Sequence, residues 1–313
     1  MTGFVQQFLS LSRHLLLFAS VLAAWPFLRE RPDFRGLSDG VVDGHMQRVG
    51  QSSPEGWALH GAWEISSRDV RVAGLSALAC RDDGRLEIAT DLGNLITLDR
   101  PDDASETTSL SIRGHHALVE AEALLLRGDQ RIMAQENRGE LLFLGPDGSA
   151  MAHRLQVATL RTNRGIEAML DLDDAEGALL AFHEHGKVAY RVSAGTVTPI
   201  PVVGARMSIT EAAWHPDERA FVLLRSFGPT GFRSAVAQAR ISDERIELGE
   251  PLALPLPINA NAEGLCVEPR GAGGSTRLWV VSDDNGLPVM AQRLVAWDVP
   301  DDAWPSAPGR ADD

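Results

Sequence analysis

The stretch Gly165-Ile-Glu-Ala-Met169, followed by a turn at Gly177 and by Ala178-Leu-Leu-Ala-Phe-His-Glu184, decides the fold because its grammar recurs along the chain. Each occurrence has a small or acidic residue, a short apolar strand, a Gly/Asp turn and a second apolar strand ending near an acid. Upstream the pattern appears as Gly74-Leu-Ser-Ala-Leu-Ala79 with Arg85-Leu-Glu-Ile-Ala-Thr-Asp91, and as Glu122-Ala-Leu-Leu-Leu126 with Arg131-Ile-Met-Ala-Gln-Glu136. Downstream it appears as Ile209-Thr-Glu-Ala-Ala-Trp214 with Ala220-Phe-Val-Leu-Leu-Arg225, and as Ala262-Glu-Gly-Leu-Cys-Val267 with Arg277-Leu-Trp-Val-Val-Ser-Asp283. Aligned on Ser76, Glu122, Glu167, Glu211 and Glu263, the repeats are 46, 45, 44 and 52 residues apart. That period holds four short strands, the size of a propeller blade.

Third and fourth strands fall where this predicts them, in Glu140-Leu-Leu-Phe-Leu144 and Val188-Ala-Tyr-Arg-Val192. The last unit is one strand short after Gln292-Arg-Leu-Val-Ala-Trp-Asp298, and Trp57-Ala-Leu-His-Gly-Ala-Trp-Glu-Ile65 can supply it. Closing the ring in this way removes the open edge that a linear array would expose. The expected fold is all-β: a single β-propeller over residues 57–299, of five four-stranded blades with six as the alternative. A β-sandwich or solenoid built from the same strands is the competing architecture.

Outside the repeats, residues 1–28 read as a signal peptide or membrane anchor. His14 to Leu28 is almost wholly apolar, Arg13 is the only charge before it, and Ala23 and Ala24 offer a cleavage site. Phe4 to Leu28 is long enough to span a bilayer if it is retained. Residues 29–56 read as a spacer and 300–313 as a polar tail, which places the protein in the periplasm, outside the cell, or anchored to the inner membrane. Cys80 and Cys266 are too few for a disulfide scaffold, and they fall on opposite faces of their strands, so two buried thiols are expected. The 44% apolar share is that of a foldable chain. The net charge of −14, from 43 acidic and 29 basic residues, argues against a nucleic-acid partner, whose phosphates need clustered cations.

In a propeller the anchor positions stand round the central channel, and here four of the five are glutamates. Converging carboxylates need protons or a cation to offset their repulsion. Ca²⁺, which takes several oxygen ligands in flexible geometry, is the expected ion, held by Glu122, Glu167, Glu211 and Glu263 with Asp91 and Asp283. Glu136, Glu184 and Asp284 also end second strands near the same mouth. The alternative is that each Glu caps backbone amides or pairs with an Arg of an adjacent blade, with Arg164, Arg206 and Arg225 as candidates. Other motifs carry less. Gly36-Leu-Ser-Asp-Gly40 matches G-x-S-x-G outside any strand–turn–helix context, and His183-Glu-His185 offers two surface imidazoles without a third ligand. Neither a P-loop nor a G-x-G-x-x-G occurs.

Taken together, Gly74-Leu-Ser-Ala-Leu78, Asn163-Arg-Gly-Ile-Glu-Ala168, Leu223-Leu-Arg-Ser-Phe227 with Gly231-Phe-Arg233, Glu263-Gly-Leu265 and Ser282-Asp-Asp-Asn285 resemble the esterase-like, phytase-like propeller domain of exported bacterial proteins. Leu224 and Gly286 depart from its pattern, where an acid and an aromatic are usual. The resemblance implies ester or phosphoester hydrolysis, with calcium held by acidic residues at one face. On that basis Glu263 and Asp284 are the expected catalytic residues, Asp284 orienting the water, while Arg164, Arg225, Arg233 and Asn285 bind a small phosphoester. A non-catalytic propeller that binds a cell-envelope ligand and a lactonase-type propeller remain open alternatives. A monomer is expected, touching the membrane only through an uncleaved leader.

Overall fold

The computed structural model describes residues 40–305, apart from 102–106, 115–120, 136–138, 158–164, 194–195, 271–273, 286 and 288. The predicted leader, Arg164, Glu136 and most of the G-x-S-x-G motif therefore lie outside the described residues. Two strands open the described chain, β1 (Gly40–Arg48) and β2 (Ala58–Ser67). A four-strand antiparallel meander then recurs. It appears first as β3 (Leu75–Cys80), β4 (Arg85–Thr90), β5 (Asn94–Asp99) and β6 (Thr107–Gly114), then as β7 (Ala121–Arg127), β8 (Gln130–Gln135), β9 (Glu140–Leu144) and β10 (Ala150–Arg154). It continues as β11 (Ile166–Asp171), β12 (Leu179–His183), β13 (Val188–Ser193) and β14 (Thr196–Val203). Next come β15 (Ser208–Trp214), β16 (Ala220–Gly228), β17 (Gly231–Ile241) and β18 (Ile246–Leu248), with a short β19 (Leu252–Ala253) beside β17. The chain ends in β20 (Asn261–Arg270), β21 (Ser275–Asp283) and β22 (Arg293–Pro300).

The inner strands β3, β7, β11, β15 and β20 neighbour one another in a closed cycle, and each stands at the end of its sheet order. This is a β-propeller, and its strands read as apolar on both faces because each blade is sandwiched between two others. The Ile166–Leu170 run of β11 and all of β12 are buried, whereas the outermost β14 alternates between buried and exposed residues. Between the β20 and β3 blades, Trp63 and Trp279 stack at 6.2 Å among Met46, Leu78, Ile88 and Ile96. Among the described residues no helix is long and apolar enough to cross a membrane.

Closure uses more of the N-terminal chain than the sequence implied. β2 pairs with β22, completing the last blade with the strand expected for it. β1 occupies part of the predicted spacer, yet it pairs with both β2 and β6 and so ties the last blade to the first. Its polar composition hides a period of two, with Gly44 and Met46 buried and His45 and Gln47 exposed. The predicted polar tail likewise begins inside the fold, since Trp304 is buried and Asp301 pairs with Arg219.

The cysteines require a correction. Cys80 and Cys266 form a disulfide, with Cα atoms 5.6 Å apart, rather than two buried thiols. They do lie on opposite strand faces, and that is why they meet. In a closed ring, neighbouring blades present opposite faces to each other, so Cys80 looks back from β3 and Cys266 looks forward from β20. The bond spans 186 residues of sequence and joins the two ends of the ring directly.

Candidate functional site at the channel mouth

Near its start, every inner strand carries a β-bulge, an extra residue that breaks the register with its partner strand. The breaks fall between Leu75 and Ala77, Ala121 and Ala123, Ile166 and Ala168, Ile209 and Glu211, and Ala262 and Gly264. The bulged residues are therefore Ser76, Glu122, Glu167, Thr210 and Glu263. Bulges re-aim a side chain, and they concentrate at rims and functional sites. Four of these agree with the positions expected from sequence. The fourth repeat does not, because Thr210 is the equivalent residue and Glu211 stands one place further on.

That one-residue slip changes what Glu211 does. Its counterparts in the other blades are Ala77, Ala123, Ala168 and Gly264, all small, so Glu211 brings a long side chain to a layer built otherwise of small residues. Its carboxyl accepts from the amide of Ala212 at 3.0 Å and from that of Leu78, on another blade, at 3.5 Å. Leu78 and Ala212 sit at equal distances past their bulges, together with Leu124, Met169 and Leu265. Gly264 makes the reach possible, because a Cβ there would stand 2.6 Å from the Leu78 nitrogen. Burial pushes the Glu211 carboxyl well above the ordinary carboxylate range; the two amides act in the opposite direction, and the nearby Glu167 charge adds to the rise. Beyond this level a cavity of about 430 Å³ opens toward Arg81, Asp171, Pro216 and Glu268 at the opposite end.

The mouth proper lies at the bulged end. Glu263 takes a close ion pair with Arg225 from β16 and a close hydrogen bond from Asn261. Arg225 also donates to Asn261 Oδ1 at 2.6 Å, closing a three-membered cluster that is largely but not wholly buried. Asp283 lies opposite Asn261 in the β20–β21 register and is buried, with Asp284 following at the strand end. Asn285 has a left-handed backbone (φ 48°) that Asn tolerates, and its amide donates to Met290 Sδ at 3.5 Å. Arg233 is exposed on β17 and donates to Thr230 Oγ1 at 3.3 Å. On the other three blades Glu167 is buried, Glu122 is half-buried and Asp91 packs on Gly74. Gly74 is needed twice over, for its φ of +73° and because a Cβ would sit 2.9 Å from Asp91 Oδ2.

Both roles proposed as alternatives to a metal ring are thus present, Glu211 capping amides and Glu263 pairing with an arginine of the adjacent blade. Among the described residues no three His, Cys, Asp or Glu side chains gather to hold a metal ion. Of the residues expected to ring a calcium ion, Glu122, Glu167, Glu211 and Glu263 with Asp91 and Asp283, Glu211 accepts from two amides and Glu263 pairs with Arg225. His183 is buried rather than on the surface, and its Nδ1 accepts from the amide of His185 at 3.2 Å. Sequence reasoning missed Asn261. The available signal was an amide side chain two residues before an anchor glutamate, at the head of an inner strand.

A ring of bulged strands with an acid, amide and guanidinium cluster at one mouth defines a β-propeller with a candidate active site at the bulged end of its channel. The chain belongs to the phytase-like family described by the esterase-like activity of phytase, whose model matches residues 70–286. That match includes Arg225, Asn261, Glu263 and Asp283–Asn285. No curated protein sequence matches the chain. Among solved structures, the glutaminyl cyclase of Myxococcus xanthus is similar at 14% identity, over 81% of this chain and 97% of that one, with a TM-score of 0.50. Virginiamycin B lyase from Staphylococcus aureus is similar at 8% identity, over 82% and 99% of the two chains, with a TM-score of 0.45. A luciferin-regenerating enzyme is similar at 12% identity, over 84% and 95%, with a TM-score of 0.44.

Proposed function

We propose that this protein is an exported hydrolase of small esters, phosphoesters foremost, built as a five-bladed propeller and acting at the mouth around Glu263. The observation that carries the reading is the Arg225–Asn261–Glu263 cluster, placed on a bulge at the channel mouth within the matched family region. A guanidinium fork suits a phosphoryl or carboxylate oxygen, and in an acidic protein an anionic substrate needs such a partner. The incoming anion shares Arg225 with Glu263, and the exposed Arg233 draws it in. Glu263, loosened from the arginine, takes a proton from the attacking water, which Asp284 orients. The water oxygen bonds to phosphorus, the bond to the leaving oxygen breaks, and that oxygen recovers the proton. Export is supported by the apolar leader and by the Cys80–Cys266 disulfide, which persists in oxidising compartments.

The test is hydrolysis of a chromogenic phosphomonoester by the chain from Arg31 onward, run beside thermal unfolding with calcium and with chelator. Turnover that survives the chelator is expected. Absence of turnover under both conditions overturns the reading. The calcium proposal rests on the sequence alone and requires a different outcome, a midpoint that rises with calcium concentration as native-state binding demands.

A further inference from the structure

The described chain exposes five large apolar side chains, Met151, Val203, Phe227, Ile258 and Val289, and three of them gather beside the Arg225–Asn261–Glu263 cluster. Phe227 lies two residues beyond Arg225 on the same face of β16, and it faces Phe232 across the hairpin with ring centroids 4.8 Å apart. Gly231 at the hairpin turn packs so closely on Ile258 that a Cβ has no room there, and the Phe232 amide donates to the Ile258 carbonyl at 2.8 Å. The neighbouring Asn259 side chain donates to the Val289 carbonyl at 2.8 Å, and its own carbonyl accepts from Ala291 at 3.2 Å. Backbone hydrogen bonds thus pin together three segments distant in sequence, so the apolar surface is pre-organised. Single exposed apolar residues are ordinary, but a contiguous group against a polar site marks an interaction surface.

We propose that Phe227, Phe232, Ile258 and Val289 dock the apolar part of the substrate, so that the substrate class is an ester joining a bulky apolar group to an anionic or carbonyl head. This rests on the hydrolase reading of the same mouth. The occupant follows from continuity and charge. The apolar group runs directly into the cluster in which the Arg225 guanidinium stands beside the Asn261 amide and the Glu263 carboxylate. A ligand anchored on the phenylalanines therefore presents its head to them. A densely charged polyphosphate would leave this surface in contact with water.

The experiment compares 1-naphthyl phosphate with glycerol phosphate. The wild type is expected to favour the naphthyl ester by about tenfold or more in kcat/KM, mainly through KM, because apolar contact of this size discriminates at that scale. The double variant Phe227→Ser/Ile258→Ser should bring the two substrates to near parity. Met151→Ser, on β10 away from the mouth, should keep the preference. Equal preference in wild type and double variant overturns the proposal. If neither substrate turns over, the hydrolase reading fails, and calorimetric binding of naphthylmethylphosphonate decides the apolar site separately. Binding that the double variant loses supports it, and no binding by the wild type overturns it. Concentration-dependent dimerisation abolished by the double variant, with phosphonate binding unchanged, also overturns it in favour of a surface for a second copy.

Discussion

At the end of the inner strands remote from the bulges, carboxylates and guanidiniums meet in crossed pairs that join neighbouring blades. At the bulged end the same chemistry is gathered on one side, in a cluster that is largely but not wholly buried. Glu87 on β4 is almost wholly buried and takes both Arg81 from its own blade and Arg131 from the next. Arg127 forks onto Asp171 of the following blade at 2.6 and 2.8 Å, and Trp214 of the blade after that donates to the Asp171 carbonyl at 2.6 Å. The disulfide closes the circle between β3 and β20. At the mouth one acid–arginine pair crosses a blade boundary among the interactions described above, and the segments that carry the exposed Phe227, Ile258 and Val289 are hydrogen-bonded to one another beside it. The contrast teaches a division of labour: polar pairs at one end join neighbouring blades, and under the proposed function a similar pair at the other is the one for which a ligand competes.

The comparison breaks most readily at Glu87. Replacing it with Gln leaves two largely buried arginines without their carboxylate, and about 3–5 kcal/mol of stability should be lost in urea unfolding. A loss under 1 kcal/mol would mean that the lower pairs do not secure the ring. Next in size, Cys80→Ala/Cys266→Ala should cost about 2–5 kcal/mol, because the bond restrains a long loop in the unfolded chain. A reducing agent should reproduce that loss in the wild type and leave the variant unaffected.

The smallest effect concerns the boundary between the two ends. The Glu211 carboxyl is held well above its ordinary value of 4.5, so the folded state keeps a proton that the unfolded chain releases. Stability from this group is therefore present below that ordinary value and falls as the pH rises above it, until the folded group itself ionises. Glu211→Gln keeps one of the two acceptor oxygens and cannot ionise, so it should flatten this fall, which unfolding midpoints at pH 5 and pH 8 will show. An unchanged slope would place the proton elsewhere.

Much of this was legible in the chain, and each gap has a physical cause. The repeat exposed the inner strands because both of their faces are buried, and the strand that completes the β20 blade was readable from Trp57 to Ile65. The alignment slipped at Glu211 because a bulge adds one residue at a position that composition cannot mark, and Thr210-Glu211 offered two polar choices. The disulfide was missed because face parity was judged strand by strand, although ring closure reverses it between neighbours. β1 hid behind Gly, Asp, His and Gln, since a strand stitched between two outer strands needs few apolar residues. The Arg225–Glu263 pair was foreseen only as an alternative, because sequence gives each residue's blade but not which side chain reaches which.

The most direct test of the central claim measures turnover and unfolding midpoint together for Glu263→Gln. Loss of hydrolysis by about a hundredfold or more, in the range that a positioned proton acceptor contributes, with a midpoint close to wild type is the predicted result. Retained turnover with a collapsed midpoint would make Glu263 another clasp of the ring and contradict the account.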